Sequence, residues 1–297
     1  MFYANDAFMQ IAKKMRQLAR FRIPTCHLLR PFTSQSIREF CNNAFVVFFE
    51  KPFIFFSDVT QVMKHGAARF RAFGNMAEVL LKMDKLEEAV AVYQKQLSLS
   101  KQSRDKRFEA SAYGSLGVCH RIGKQFDKAL GYHTQELSIL QDLDDARGEC
   151  RAHGNLGAVH LSLSNYINAM KCFQEQLDKS SEVQDPFLEA TAHGNLGMAK
   201  LNLTRNEEAI GCFEQQIASL EQCSTQPNLE LEKGRAFGHL GNCYENIHDF
   251  EEAAKCHEHY LSHSLKAKSV RDQDKAYRQL GQAYKHLGNL QQSLVSQ

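Results

Sequence analysis

The sequence predicts an all-α fold made of stacked helix pairs, and three observations lead to this prediction. A seven-residue phrase, Arg-Ala-Phe-Gly-Asn-Met-Ala at residues 71–77, recurs in similar form at 111–117, 151–157, 191–197, 235–241 and 275–281. The steps between copies are 40, 40, 40, 44 and 40 residues, a period typical of repeat proteins. Apolar residues around the phrase recur at spacings of three and four, and the chain holds only 5 prolines, so both features favour helices.

The composition of the 297-residue chain limits the class of protein. A hydrophobic content of 43% is enough for a continuous core, and a formal net charge of +2 favours neither nucleic acid nor a membrane surface as partner. The 9 cysteines never form a C-x-x-C pair, which predicts reduced, packed thiols in a cytoplasmic protein. No apolar run reaches the roughly 20 residues that a membrane span needs.

Residues 1–65 do not follow the repeat and are predicted to form a separate, basic and Phe-rich N-terminal extension. Between Ala7 and Arg38 there are seven basic residues and no acidic one, a composition that resembles a mitochondrial transit peptide. Asp6 and the Phe-rich run at 45–56 weaken the targeting interpretation. An ordinary basic helix without a targeting role is the alternative.

Each repeat is predicted to hold two helices separated by a short polar break. The first helix carries the phrase, and the breaks follow at 83–85, 123–125, 164–165, 248–249 and 288–289. The second helix begins with acidic residues, as in Leu86-Glu-Glu, which suit the positive end of a helix dipole. We expect this helix to end near Leu97 before a polar linker at 100–106, and a turn-rich insertion at 224–228 to lengthen one connection.

Small residues recur where the two helices of a repeat must approach each other closely. The last glycine of the phrase is one such position, and an alanine follows it after 12 residues, as Ala169 follows Gly157. An aromatic residue four positions further, such as Phe173, is expected to fill the space between repeats. His133 and His257 take this aromatic place in two repeats.

This combination of Leu-Gly, alanine and aromatic residue resembles the tetratricopeptide repeat, whose usual period is 34 residues. The longer period is similar to that of the LGN/Pins branch of the family, and phrases at 128–137 and 148–154 resemble very large members with many more repeats. The resemblance implies a right-handed superhelix over residues 66–297, with five full repeats and an incomplete sixth. This chain would then be a fragment or a short isoform.

The resemblance also implies a function. Proteins of this kind are non-catalytic scaffolds that bind partner peptides in a concave groove lined by the first helices. The LGN/Pins likeness implies work at the mitotic spindle midzone and midbody during cytokinesis, with a mitotic kinase or spindle protein as the partner.

The candidate site is a row of amides and cations on the first helices. Asparagine can donate to and accept from a peptide backbone, and a cation one turn earlier can hold a carboxylate. The predicted groove residues are Arg71, Asn75, Arg151, Asn155, Asn195, Arg235, His239, Asn242, Lys275, Gln279 and Gln282. By resemblance, such asparagine ladders grip peptide backbones. The alternative is that these residues are simply the solvated face of each helix.

Other kinds of site have weaker support in the sequence. A co-chaperone-like clamp for acidic C-terminal tails would use Arg71, Asn75, Arg151 and Asn155. Cys256, His259 and His263 share one helix face, but no cluster supplies a fourth zinc ligand, so no metal is expected. The glycines around residues 117–124 lack the spacing of a phosphate loop, and no catalytic arrangement recurs, so the sequence predicts neither an enzyme nor a cofactor.

Overall fold

The structure, a computed structural model, describes residues 66–224, 226 and 228–295. This part of the chain is helical throughout and holds eleven helices and no strand. They are α1 Gly66–Lys82, α2 Leu86–Ser103, α3 Lys106–Ile122, α4 Phe126–Asp142, α5 Ala146–Ser162, α6 Tyr166–Val183, α7 Pro186–Asn202, α8 Asn206–Glu221, α9 Leu229–Asn246, α10 Phe250–Lys266 and α11 Val270–Val295. Odd-numbered helices are the first helices of the repeats and even-numbered helices the second ones, which confirms the predicted all-α class.

Two expectations from the sequence concern the N-terminal extension and the absence of membrane spans. The extension predicted at 1–65, including its transit-peptide alternative, lies outside the described residues. Of the described helices, none combines the length and the apolar character that crossing a membrane requires.

The chain divides into two compact units, with the boundary between Cys119 and His120 inside α3. In the first unit α1 packs against α2. The ring of Phe70 stacks on Phe108 with centroids 4.2 Å apart, and the Gln96 amide donates to the Phe70 carbonyl at 2.8 Å. These contacts join the helices of this unit around a small apolar core.

In the second unit each helix packs against its neighbours in sequence. The second helices α6, α8 and α10 contact the first helix of their own repeat and that of the next repeat. Successive first helices, α5 with α7, α7 with α9 and α9 with α11, also touch. The first helices of this unit therefore lie side by side and share one surface.

The connections after α1–α7, α9 and α10 are short because a left-handed residue follows the end of each of these helices, whereas Gln222 at the end of α8 is right-handed. All but one connection in the described chain contain two or three residues. The left-handed residues, with φ between 52° and 66°, are Asp84, Arg104, Lys124, Asp144, Ser164, Gln184, Thr204, Asn228, His248 and Lys268. In most turns the next amide returns to a carbonyl five residues back, as Gln125 N does to His120 O at 2.8 Å. This Schellman-type ending confirms the breaks predicted at 83–85, 123–125, 164–165 and 248–249.

The predicted close approach at the last glycine of the phrase is confirmed for Gly157, Gly197 and Gly241 but is wrong for Gly281, whose Cβ position has nothing within 4 Å. A Cβ on Gly157 would lie 2.3 Å from Phe173, and one on Gly197 would lie 2.7 Å from Phe213. The ring that fills each notch comes from the second helix of the same repeat. Phe173 also packs with Leu196 of the following repeat, so it fills the space between repeats as predicted.

The second helices are longer than the sequence predicted. The expectation that α2 ends near Leu97 is wrong, because the helix continues to Ser103. The linker expected at 100–106 shrinks to residues 104–105. A 40-residue period is thus used for two helices of 16–18 residues and two tight turns, and polar residues such as Lys101 sit in the last helical turn.

The break predicted at 288–289 is also wrong, because α11 runs without interruption for 26 residues. Arg278 takes the place of the glycine found at position four of the other phrases. At the equivalent Gly154 a Cβ would lie 2.7 Å from the Gln176 amide. The Arg278 side chain is 71% exposed and pairs with Asp274 on the same helix at 2.7 Å.

Candidate functional site

The candidate site is a cleft between the first helices α7 and α9, closed underneath by α8. Its volume is about 170 Å³. The residues that line it are Phe187, Ala190, Thr191, Gly194, Asn195, Met198, Gln216, Leu220, Glu232, Arg235 and His239. We call it the α7–α9 cleft. Its floor is apolar and its rim is polar, a combination common in ligand sites.

Helix α7 forms one side of the cleft. The carboxylate of Asp185 caps the helix by accepting from Phe187 N at 2.9 Å, and Pro186 provides the fixed φ that suits the first position. From this fixed start Thr191, Asn195 and Met198 follow at spacings of four and three. They therefore form one face that looks into the cleft.

Two asparagines of the row form hydrogen bonds with the preceding second helix. Asn195 Nδ2 donates to Gln176 Oε1 at 2.9 Å, and Asn155 Nδ2 donates to Glu136 Oε2 at 3.4 Å. The sequence analysis missed these partners. The sequence does contain a pattern that points to them, because a glutamine or glutamate recurs every 40 residues at Gln96, Glu136, Gln176 and Gln216.

This pairing of an asparagine with the preceding second helix does not continue at the cleft. His239 stands where Asn195 stands one repeat earlier, and its ring stacks on Phe213 at a centroid distance of 5.4 Å. Gln216, the equivalent of Gln176, is left with a buried Oε1 that has no hydrogen-bond partner among the described residues. Burial lowers the pKa of His239, and the charges of Lys275 and Arg235 lower it further, so its ring is neutral at pH 7.

Arg235 is held in position by two carboxylates. Its Nε donates to Asp272 at 3.2 Å and its Nη1 to Glu232 at 3.2 Å, while 44% of the side chain stays exposed. Asp272 also accepts from Tyr260 and Ser269. Burial alone would raise the pKa of Asp272, but the bonds from Ser269, Arg235 and Tyr260 hold it below its usual range. Arg235 thus offers a fixed donor at the rim.

The remaining predicted residues lie elsewhere. Gln279 Nε2 donates to Asn242 Oδ1 at 2.5 Å and so links α11 to α9. Lys275 and Gln282 are exposed on α11, Arg151 is exposed on α5, and Arg71 and Asn75 are exposed on α1 in the other unit. The structure therefore brings together Asn195, Arg235 and His239, and separately Asn242 and Gln279.

The residues weighed as zinc ligands serve packing instead. Cys256 is buried, and His259 and His263 stack on Phe237 at 4.8 Å and 5.6 Å. His257 fills the notch at Gly241, where a Cβ would lie 2.4 Å from its ring. Within the described ranges no group of three or more His, Cys, Asp or Glu side chains could hold a metal ion.

Comparison with protein families matches residues 69–142 to the tetratricopeptide repeat model. No curated protein matches the chain.

Solved structures resemble the chain over most of its length. One is BtubC (BKLC) from P. vanneervenii, with a TM-score of 0.60 and 16% identity over 80% of this chain and 91% of that one. Another is a Podosopora anserina putative kinesin light chain with nearly identical TPR-like repeats, with a TM-score of 0.55 and 14% identity over 70% of this chain and 100% of that one. A Rap protein complexed with Competence and Sporulation Factor has a TM-score of 0.64 and 15% identity over 97% of this chain and 83% of that one. Likeness at this identity concerns the fold alone. Residues 69–142 are thus similar to tetratricopeptide repeats, and the described helix pairs share the fold of tetratricopeptide-repeat-like structures.

Proposed function

We propose that this chain is a non-catalytic protein–protein interaction scaffold that binds an extended segment of a partner protein in the α7–α9 cleft. The observation that carries the proposal is the meeting of Asn195, Arg235 and His239 around an apolar-floored hollow of about 170 Å³. A hollow of this size admits one large apolar side chain. The fold of the Rap protein solved with Competence and Sporulation Factor supports a binding role for such helix pairs.

The rim of the cleft suits a peptide backbone. Asn195 Oδ1 is the atom of its amide that the bond to Gln176 does not use, whereas Gln216 Oε1 lies buried below the rim. A backbone N–H group of an extended segment would satisfy the Asn195 acceptor whatever its sequence. The remaining guanidinium nitrogen of Arg235 can donate to a carbonyl. Because Glu232 and Asp272 balance its charge, the cleft should select an apolar anchor residue rather than an acidic segment.

The clamp for acidic C-terminal tails is the competing candidate. Asn155, one of its residues, donates to the carboxylate of Glu136, and a fixed negative charge at this point would repel an acidic tail. A peptide array probed with the full chain separates the two candidates. Loss of binding when peptide C-termini are amidated would favour the clamp, whereas equal binding of internal peptides supports the cleft.

A pair of double variants tests the cleft on a peptide selected from that array. Asn195→Ala with Arg235→Ala removes an amide and a charged donor, together worth roughly 2 kcal/mol, so the Kd should rise by about 30-fold. Asn202→Ala with Arg205→Ala changes the same residue types at the end of α7 and should leave the Kd within about twofold. Thr191→Trp fills the cleft without removing either rim group, and this variant should abolish peptide binding. Wild-type affinity in both cleft variants would refute the proposal.

The resemblance to the LGN/Pins branch extends this proposal to mitosis. The partner would be a mitotic kinase or spindle protein at the spindle midzone and midbody during cytokinesis, and the support is the 40-residue period together with the phrases at 128–137 and 148–154, which resemble very large members of the family. Proximity labelling in dividing cells, with the full chain and its Thr191→Trp variant, tests the extension. Spindle proteins should be labelled by the wild type alone. Labelling of other proteins, lost in the variant, would contradict the mitotic role and leave the scaffold proposal standing.

A further inference from the structure

One face of α11 is largely exposed, although the Tyr284 hydroxyl on it donates a hydrogen bond to Glu258 on α10. Val270, Tyr277 and Tyr284 are 77%, 57% and 50% exposed, and a Cβ on Gly281 or Gly288 would meet nothing within 4 Å. With Asp274 these residues follow spacings of four, three, four, three and four, so they form one stripe of the helix. We call residues 270, 274, 277, 281, 284 and 288 the α11 stripe.

The same stripe is covered in the earlier repeats of the second unit. Gly157 is the equivalent of Gly281, and the ring of Phe173 inserts against it. Cys150, the equivalent of Asp274, donates to the Gln176 carbonyl at 3.5 Å. In both cases the second helix of the same repeat provides the cover. In the last repeat α11 continues without interruption to Val295, so no second helix of the described chain covers the stripe.

The α11 stripe is complementary to itself when two copies run antiparallel. A twofold axis beside residue 279 places Tyr277 opposite Gly281 of the second copy and Gly281 opposite Tyr277. The same axis pairs Val270 with Gly288 and Asp274 with Tyr284. Each large side chain therefore meets a small or short one, which is the knobs-into-holes condition for close helix packing.

We propose that two copies of this chain associate through the α11 stripe as an antiparallel helix pair. The partner is a second copy because the tyrosines of one stripe face the glycines or the aspartate of an identical stripe that runs in the opposite direction. This placement also repeats the packing of Phe173 on Gly157 inside the molecule. The aromatic ring is supplied by the neighbouring copy instead of a second helix.

The dimension and charge of the stripe set the strength of this association. Residues 270–288 span about 28 Å of helix, so the pair buries on the order of 1,000 Å² in total, the lower limit for a specific interface. Arg271, Arg278 and Lys285 flank one edge of the stripe and repel their counterparts across the axis. The ion pair of Arg278 with Asp274 at 2.7 Å offsets part of this repulsion. The dimer should be weak, with a Kd on the order of 10 µM, and should tighten as salt screens the basic edge.

Sedimentation velocity of the full chain from micromolar to submillimolar concentration tests the proposal. The wild type should shift from monomer to dimer. Gly281→Leu fills the hollow, and Tyr277→Ala with Tyr284→Ala removes the rings, so each should weaken association at least about tenfold. Ile167→Ala, a control at a side chain that is 52% exposed on α6, should dimerise like the wild type.

A fluorescence measurement distinguishes the α11 stripe from any other contact. The chain has no tryptophan, so Tyr277→Trp gives a single reporter. Its emission should move to shorter wavelength with rising concentration, and this shift should vanish when Gly281→Leu is added. A monomer at every concentration, or association that both stripe variants leave unchanged, would overturn the proposal.

Discussion

The notch at Gly157 allows a prediction in which the same substitution has opposite effects at two glycines. In Gly157→Ala the new Cβ would lie 2.3 Å from Cε1 and 2.5 Å from Cδ1 of Phe173. That ring is 1% exposed and packs with Ala169, Leu196 and Cys212, so it has nowhere to move freely. Gly131, in the middle of α4, has nothing within 4 Å of its Cβ position.

The expected magnitudes follow from two terms. Alanine in a helix is more favourable than glycine by about 1 kcal/mol, and this gain applies at both sites. Overpacking a core adds a cost of about 1–3 kcal/mol, and the short distances at Gly157 place it at the upper end. We therefore expect Gly157→Ala to lower the free energy of unfolding by about 2 kcal/mol, and Gly131→Ala to raise it by about 1 kcal/mol.

Urea unfolding followed by far-UV circular dichroism measures both effects. A further variant identifies the cause, because Phe173→Leu removes ring atoms from the notch. In that background Gly157→Ala should lose most of its cost, giving a coupling energy above about 1 kcal/mol. If Gly157→Ala and Gly131→Ala shift the midpoint in the same direction, the proposed packing of the notch is wrong.

Three further predictions concern the turns, a buried histidine and the thiols. Thr204 has a φ of 59°, which is unfavourable for a β-branched residue. Thr204→Gly should therefore raise the urea midpoint of unfolding by the equivalent of about 0.5–1 kcal/mol. A lower midpoint would contradict this prediction. Burial lowers the pKa of His257 from 6.5 to about 4, so between these values the unfolded chain binds the proton that the native state excludes. Stability should therefore fall by up to about 3 kcal/mol as the pH drops through this window, and His257→Phe should flatten the slope measured by urea titrations. Burial raises the pKa of Cys119 to about 11 and of Cys243 and Cys256 to about 12. In the native state these thiols should therefore be alkylated much more slowly than Cys223, as measured by mass spectrometry. In urea all four thiols should react at equal rates.

The repeat organisation could be predicted from the sequence because it depends on local spacing. The notch glycines and the aromatic residues after them lie at fixed distances along the chain, and the structure places Phe173 and Phe213 as that spacing requires. Helix ends were less predictable. Polar residues such as those at 100–103 are compatible with both a linker and a last helical turn, so the sequence placed the end of α2 too early.

The course of α11 was not predictable from a local pattern. Gly288 and Asn289 are suitable turn residues, yet the helix continues through them. Turn residues permit a break in a helix but do not require one, so the spacing of residues along the chain did not show where this helix ends.

The candidate site was predictable only in part for a similar reason. Asn195, Arg235 and His239 were found because they occupy corresponding places in the phrase. Asp272, which fixes Arg235, lies 37 residues away on another helix, and Gln216 belongs to a second helix that the groove hypothesis did not consider. Such partners are brought together by packing between repeats.

Site-specific photocrosslinking tests most directly whether a partner occupies the α7–α9 cleft. A benzophenone amino acid at position 198 replaces Met198 in the cleft wall, and one at position 167 replaces the exposed Ile167 on α6. With the array-selected peptide bound to the full chain, position 198 should crosslink to the peptide and position 167 should not. Equal crosslinking at both positions, or crosslinking at 167 alone, would contradict the binding mode.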